Sequence, residues 1–404
     1  MRTGKMKPNL KIHMISSSVN FKSKTLRYGF IFLFILGVIF FIPRFFADIS
    51  DVSDISGQAI KALEEKVKHV KTPESVKAIY MTSWVAGTPK WRTELKEFIK
   101  NSEINSIVID IKDYSGIVAF DTKSEIVDKV GSEEIRVTDL KEFIETLHQN
   151  NIYTIARITV FQDPIYAKYN SSIAVHTKSG ANWKDRKGLM YIDPSAEEFW
   201  NYIVEIAKES EKIGFDELNF DYIRFPSDGN MKDIVFPVSS VVATASIDLP
   251  ETKEILLENF FKYLQKELKS TGIPISADVF GMVMTNYDGL NIGQVLERIY
   301  PYFDFIAPMV YPSHYPATFQ GFQNPAVHPY EVVKYSMQRG VERMIAASSS
   351  PLKLRPWLQD FDLGATYDAS KIRAQIQATY DAGLTSWMMW DPSNKYTRDG
   401  YLDF

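Results

Sequence analysis

Residues 215–226 read Phe-Asp-Glu-Leu-Asn-Phe-Asp-Tyr-Ile-Arg-Phe-Pro. Gly214 closes a helical run just before them. As a strand, the stretch puts Leu218, Phe220 and Tyr222 on one face and Glu217, Asn219 and Asp221 on the other, because side chains alternate along a strand. Ionised carboxylates are seldom buried unpaired. An Asp ending an apolar strand, ahead of Arg224 and Pro226, therefore needs an explanation. At the C-terminal rim of a (β/α)8 barrel such an Asp reads as chemistry. Two plainer readings stay open from this stretch alone: a cap on the next segment, or an ion pair with Arg224.

Working outward, strands and helices alternate, the mark of a parallel α/β sheet. The spacing predicts strands at 78–84, 106–112, 153–159, 217–222, 275–280, 305–311, 355–361 and 386–390. Helices are predicted between them at 91–101, 138–150, 197–213, 252–270, 292–300, 329–338 and 369–382. Eight units over roughly 325 residues fit a (β/α)8 TIM barrel with loop insertions. An open doubly wound sheet is the competing fold, but the turn after the first strand, Trp84-Val85-Ala86-Gly87-Thr88-Pro89, is not the Gly-rich phosphate loop that fold usually carries. Two connections are long, 161–195 and 226–250. Both leave the C-terminal ends of strands, where long loops are usually functional.

The N-terminus is of another kind. Residues 1–27 are polar and basic, and 29–43 (GFIFLFILGVIFFIP) are uncharged and almost wholly apolar. With their flanks they approach the length of a membrane span, so 28–47 is predicted to be an uncleaved signal anchor. Of the 46 Lys and Arg, eight lie in residues 1–47, which hold no Asp or Glu. The positive-inside rule then places 1–27 in the cytoplasm and the barrel outside. Residues 48–75 read as a stalk, and 76–404 as the barrel domain. Beyond residue 47 the chain carries 38 basic against 50 acidic residues, a charge of −12. That balance argues against nucleic-acid binding and against a polyanion held on a broad basic surface, and leaves room for a local basic pocket. There is no Cys, and the six His form no HxH or HExxH pattern. Neither a metal site nor a cofactor is expected.

Several strands end in polar or aromatic groups: Asp110, Arg157, Asp221, Asp278, Tyr311, Gln359 with Asp360, and Trp390 with Asp391. Asp110 could meet substrate or sit in a structural ion pair, and Asp391 before Pro392 reads as a cap. Asp221 and Asp278 differ, because they end neighbouring strands at similar depth with inward parity. Two convergent carboxylates among aromatic side chains are what glycosidic hydrolysis requires, one as acid and the other as base or nucleophile. Trp84, Trp357 and Trp390 are candidates for stacking on sugar rings.

Residues 191–226 resemble a segment of the bacterial "putative glycosyl hydrolase" domain of unknown function found on cell-envelope proteins, within the glycoside-hydrolase-like barrel superfamily. There an Asp-Pro turn opens a helix that leads to a strand ending Phe-Asp-Tyr-x-Arg-Phe-Pro. The likeness extends to 77–84, 106–116 (SIVIDIKDYSG), 276–281 (SADVFG), 307–315 (APMVYPSHY) and 355–361 (RPWLQDF), over about residues 76–393. By its amylase-like kinship the resemblance implies Asp221 as nucleophile or base. It puts Asp278 where an amylase-like acid is usually Glu, and makes Asp360 a third, stabilising carboxylate. Arg157 and Arg224 would hold carboxylates in place. Among the strand-end groups, Tyr311 and Asp110 are candidates for meeting substrate. Two functions are carried forward: a membrane-tethered glycoside hydrolase acting on an envelope or extracellular polysaccharide, and a non-catalytic glycan-binding or scaffolding barrel.

Overall fold

The computed structural model describes residues 68–241 and 252–403. The basic tail, the expected anchor at 28–47 and most of the stalk lie outside them. Among the described residues no helix is long and apolar enough to cross a membrane.

Eight parallel strands close into a barrel in sequence order. They are β1 Lys77–Met81, β2 Ser106–Lys112, β3 Tyr153–Thr159, β4 Glu217–Asp221, β5 Ile275–Phe280, β6 Phe305–Met309, β7 Trp357–Gln359 and β8 Trp387–Trp390. β8 pairs with β1 to complete the ring. The principal helices are α1 Pro89–Lys100, α2 Leu140–His148, α3 Glu197–Ile213, α4 Thr252–Leu268, α5 Leu296–Ile299, α6 Pro329–Ala346 and α7 Ala369–Asp381. Two strand ends predicted from sequence fall elsewhere. Trp84 lies past β1 on a four-residue helix, Ser83–Ala86, capped by the Thr82 side chain. Tyr311 lies past β6, at the turn Pro312 opens.

β2 shows how alternation builds the two cores. Ile107, Ile109 and Ile111 point outward into the layer between strands and helices, while Val108 points inward with Tyr80, Tyr153, Ile155 and Trp357. Both faces are buried, which is why these strands read as continuous apolar runs. The helices obey the same logic at period 3.6. α3 begins with Glu197 and Glu198, ends with Lys212, and buries Phe199, Ile203 and Ile206; these charges suit the helix dipole. Gly214 stops it at φ 128°, a conformation open to glycine alone. β4 sends Phe220 outward onto Phe303, which packs in turn on Phe261. Truncating such a ring to Ala typically costs about 3–5 kcal/mol.

β4 also fills the barrel interior with polar groups, layer by layer. Glu217 at the floor accepts from Arg355 Nη1 (2.7 Å) and Tyr153 Oη (2.9 Å). Asn219 in the middle donates to Ser276 Oγ (3.0 Å) and Asp278 Oδ1 (2.9 Å). Asp221 reaches the rim.

His69 to Thr72, assigned to the stalk from sequence, are bonded to the barrel floor. Val70 N–H donates to Asp216 Oδ1 (2.7 Å), and Thr72 Oγ1 lies 3.1 Å from Tyr153 Oη. Asp216 also meets His148 Nε2 (3.0 Å), His69 Nδ1 (3.6 Å) and Thr154 N–H (2.8 Å). Burial by itself would raise the Asp216 carboxyl, but hydrogen bonds with His148 and His69 outweigh it and hold it below its usual range. The bond to Asp216 raises His69 in turn, against burial and with help from Glu211. A depressed carboxyl stabilises above its unfolded value of ~3.9, and a raised imidazole stabilises below ~6.5. The clamp is therefore complete between about pH 4 and pH 6.5 and loosens as pH rises through the His69 value. Hydrogen exchange at Val70, corrected for intrinsic rate, is expected to speed up above that window in the wild type and to be fast throughout in His69→Gln. Protection that ignores pH would discard the clamp.

Candidate active site

Arg157 stands on β3 opposite Asn219 of β4, one layer below the pair Thr159–Asp221. Its long side chain rises to the rim, where Nη1 donates to Asp110 Oδ1 (2.5 Å) and Nη2 donates to Asp221 Oδ2. Nε lies 3.6 Å from Asp278 Oδ2. One guanidinium therefore touches carboxylates from β2, β4 and β5. Burial opposes its charge, but Asp110 and Asp221 more than offset this and keep it firmly protonated. Asp110 takes a further hydrogen bond from the Tyr80 hydroxyl. Burial raises the Asp110 carboxyl, with Arg157 pulling the other way.

Asp278 is 1% exposed. Its Oδ1 accepts from Asn219 Nδ2 (2.9 Å) and Trp357 Nε1 (2.8 Å). Burial, and then the neighbouring Asp221, push it up to about 8, although Arg157 and the two donors oppose the shift. It therefore holds a proton at neutral pH. Asp221 accepts the Tyr222 N–H at Oδ1 (2.5 Å) besides the bond from Arg157. Asp278 is thus the buried, proton-holding carboxyl, and Asp221 the one bonded to a guanidinium Nη and to a backbone N–H.

β4 ends at Asp221 because Tyr222 is left-handed, φ 54°. This overturns the simple alternation read from sequence. Tyr222 joins the cavity, not the apolar face, and Ile223 and Phe225 enter the outer core. The ion pair imagined between Asp221 and Arg224 does not form. Arg224 Nη1 donates instead to Phe225 O (3.1 Å) and Ser227 Oγ (3.2 Å).

Two cavities share this rim. One, ≈ 390 Å³, is lined by Asp221, Asp278, Tyr311, His314 and Trp357. The other, ≈ 710 Å³, runs over Tyr80, Trp84, Asp110, Tyr114 and Tyr191. Both sizes are typical of ligand sites. They meet at Arg157, Lys187, Tyr222, Arg224, Asp228 and Trp390, which line both. Lys187 and Asp228 come from the two long loops after β3 and β4. These loops pair with each other: His176 N–H donates to Val235 O (2.9 Å) and Val235 N–H donates to His176 O (2.7 Å). Gly229, at φ 138°, lets the second loop pass the Trp183 ring, where a Cβ would come within 2.6 Å.

The expected tryptophans take three roles. Trp84 is 61% exposed, with the Arg136 guanidinium 4.3 Å from its ring centroid, which leaves the indole held as an open platform. Trp390 stacks on Tyr311 with centroids 5.1 Å apart. Trp357 is buried and serves as the hydrogen-bond donor to Asp278.

Asp360 is a correction. It lies outside both cavities and accepts from Thr397 N–H (3.0 Å) and Tyr401 Oη (2.8 Å). It is three residues on from inward-facing Trp357, so parity turns it toward the C-terminal segment. The third carboxylate beside Arg157 is Asp110. Asp391 caps its own turn, accepting from Ser393 N–H (2.5 Å). Sequence reading missed Tyr80, Lys187, Tyr222, Asp228 and His314. Tyr80 could have been found, since it shares the inward face of β1 with Ala78.

A carboxylate-lined cleft at the C-terminal end of a closed parallel barrel defines the class of molecule: a (β/α)8 barrel with its site at the usual end. Residues 78–396, more than half of the chain, match the family described as "Putative glycosyl hydrolase domain", and the chain belongs to it. No curated protein matches it. Among solved structures, a hypothetical protein from Ruminiclostridium thermocellum ATCC 27405 is 31% identical over 50% of this chain and 97% of its own, with TM-score 0.44. The PgaB (BpsB) glycoside hydrolase domain from Bordetella bronchiseptica is 14% identical over 81% of this chain and 99% of its own, with TM-score 0.60. The second likeness shows the shared fold.

The raised Asp278 has a cost in stability. Folded protein keeps a proton there that the unfolded chain releases near pH ~3.9, so stability falls as pH rises from about 4 to about 8. Asp278→Asn keeps the acceptor for Asn219 and Trp357 and removes the titration. Its melting temperature is expected to gain on the wild type progressively between pH 4 and pH 8. A difference independent of pH would show that Asp278 titrates as an ordinary carboxyl.

Proposed function

We propose that this chain is a glycoside hydrolase, held outside the cell by residues 28–47, that cleaves the glycosidic bonds of an envelope or extracellular polysaccharide. One observation carries the reading. Asp221 ends β4, Asp278 stands near the end of the neighbouring β5, and the two line one cavity and contact the same guanidinium. Sharing that group limits their separation to less than about 10 Å, the span in which glycosidases work. Family membership supports the reaction class.

In this mechanism Asp278, protonated at neutral pH, gives its proton to the leaving glycosidic oxygen. Asp221, paired with Arg157, acts as nucleophile on the anomeric carbon or as base for water. Arg157 positions Asp221, and the open face of Trp84 and the Trp390–Tyr311 stack offer surfaces for sugar rings. Asp221→Asn removes the charge and preserves shape. Turnover is expected to fall by about 10²–10⁴-fold or more with folding intact. In the wild type, kcat/KM is expected to decline on the alkaline side near pH 8 as Asp278 loses its proton. Wild-type turnover by Asp221→Asn would remove the hydrolase mechanism.

A non-catalytic glycan-binding barrel is the second reading, favoured by the depth of Asp278 and the engagement of its Oδ1 by two donors. It predicts binding without turnover by the wild type.

The tether rests on the apolar run at 29–43 behind a basic, carboxylate-free tail. A reporter active only outside the cytoplasm, fused after Phe404, is expected to work. Activity of a cytoplasm-only reporter at that position would reverse the topology.

A further inference from the structure

Where the two cavities meet, two cations have no ion-pair partner among the described residues. Arg224 is 8% exposed, yet among the described residues it has no ion-pair partner. Its Nη1 hydrogens go to Phe225 O and Ser227 Oγ. Its guanidinium carbon is 5.1 Å from the Tyr222 ring centroid and 4.8 Å from that of Phe280. Tyr191 is its other polar neighbour. Lys187 is exposed at the same junction. Its backbone N–H is tied to Asp185 Oδ1 (2.8 Å), and its ammonium likewise has no ion-pair partner among the described residues. Lys187 and His314 line the smaller cavity together, and after burial the Lys187 charge is the further influence that lowers the His314 imidazole.

Asp185, on the wall of the larger cavity, accepts the backbone N–H groups of Lys187 and Leu189 at Oδ1, and other acids nearby are already engaged. Asp110 and Asp221 share Arg157, and Asp228 is 3.2 Å from Arg186. Asp278 holds a proton at neutral pH. A buried guanidinium without a countercharge is costly, and cation–π contacts offset that only in part. Its remaining N–H donors suit a planar anion, which a guanidinium fork binds better than an ammonium does.

We propose that Arg224 and Lys187 form an anion-binding subsite at the junction of the two cavities, which takes the carboxylate of a hexuronate residue and makes the substrate an acidic glycan. This rests on reading the cleft as a glycan site. It agrees with the overall negative charge of the chain, because the site is a local pair of cations and not a basic surface. The shared chemistry is an anionic substituent on a sugar, and a sulfate ester is the other source of it.

The test is native affinity electrophoresis of the full-length Asp221→Asn chain, which removes turnover. Gels carry alginate, polygalacturonate or hyaluronate, each beside its carboxyl-reduced counterpart, with dextran sulfate as a further arm. Retardation by at least one uronate polymer is expected, lost on carboxyl reduction and weakening as salt rises. Adding Lys187→Met, an exposed position, should weaken it about tenfold, and Arg224→Lys should weaken it although the charge remains. No retardation by any uronate polymer, equal retardation by reduced forms, or indifference to Lys187→Met would overturn the subsite. Retardation by dextran sulfate alone would overturn the carboxylate assignment. Uronate binding with no hydrolysis by the wild type would end the hydrolase reading and leave this subsite standing. Hydrolysis of a neutral glycan without uronate binding would do the reverse.

Discussion

One guanidinium holds the top of this barrel together. Arg157 meets Asp110, Asp221 and Asp278 from three successive strands, so a single positive charge faces three carboxyls in a buried place. Two unit charges about 4 Å apart near a protein surface interact by about 4 kcal/mol. One cation cannot neutralise three anions at such distances, and one carboxyl must give up its charge. Burial and the sharing of the fork decide which. Asp278 is the least exposed of the three and meets only the Nε edge, at 3.6 Å, while Asp110 and Asp221 take the two Nη donors. The proton therefore settles on Asp278. The division into a protonated and an ionised partner follows from how one fork of donors is shared.

The floor carries the same device in simpler form. Glu217 and Arg355 are both nearly inaccessible and are satisfied with help from Tyr153. A buried pair of this kind adds little net stability, but removing one partner is severe. The polar column Glu217–Asn219–Asp221 therefore acts as a register device. A one-residue slip of β4 would carry all three groups into the apolar outer layer, take from Arg355 its carboxylate, and take one partner each from Asp278 and Arg157. The floor also binds the incoming chain, since His69 and Val70 close over Asp216.

The eight-strand order was legible because parallel strands buried on both faces read as runs of Val and Ile. β2, β3 and β5 could be placed to the residue. β7 could not, since only Trp357–Gln359 keep strand pairing. Asp221, Asp278, Arg157 and Asp110 could be placed from parity at strand ends. Asp360 took its role from the resemblance and not from parity, since alternation from Trp357 to Phe361 turns it away from the cleft. Lys187 and Asp228 were out of reach for another reason. They arrive on loops whose positions are set by pairing with each other through His176 and Val235, a tertiary event that no local period announces.

Tyr222 joins these threads. A tyrosine at φ 54° stores about 1–3 kcal/mol of backbone strain. Such strain persists only where the surroundings fix it, and here they do. Its N–H is bonded to Asp221 Oδ1, its ring packs by Trp183 and Tyr191, and Arg224 lies against its face. The left-handed turn shifts the side-chain parity by one. Before it, odd-numbered residues point into the barrel, and after it the even-numbered Tyr222 and Arg224 line the cleft while Ile223 and Phe225 seal the outer core. One strained residue thus lets consecutive positions 221 and 222 both face the site, which an unbroken strand forbids. It also brings the uncompensated guanidinium of Arg224 to the same opening as the Asp221 carboxylate. The strain at Tyr222 therefore supports the chemistry of both neighbours, and relieving it would separate them.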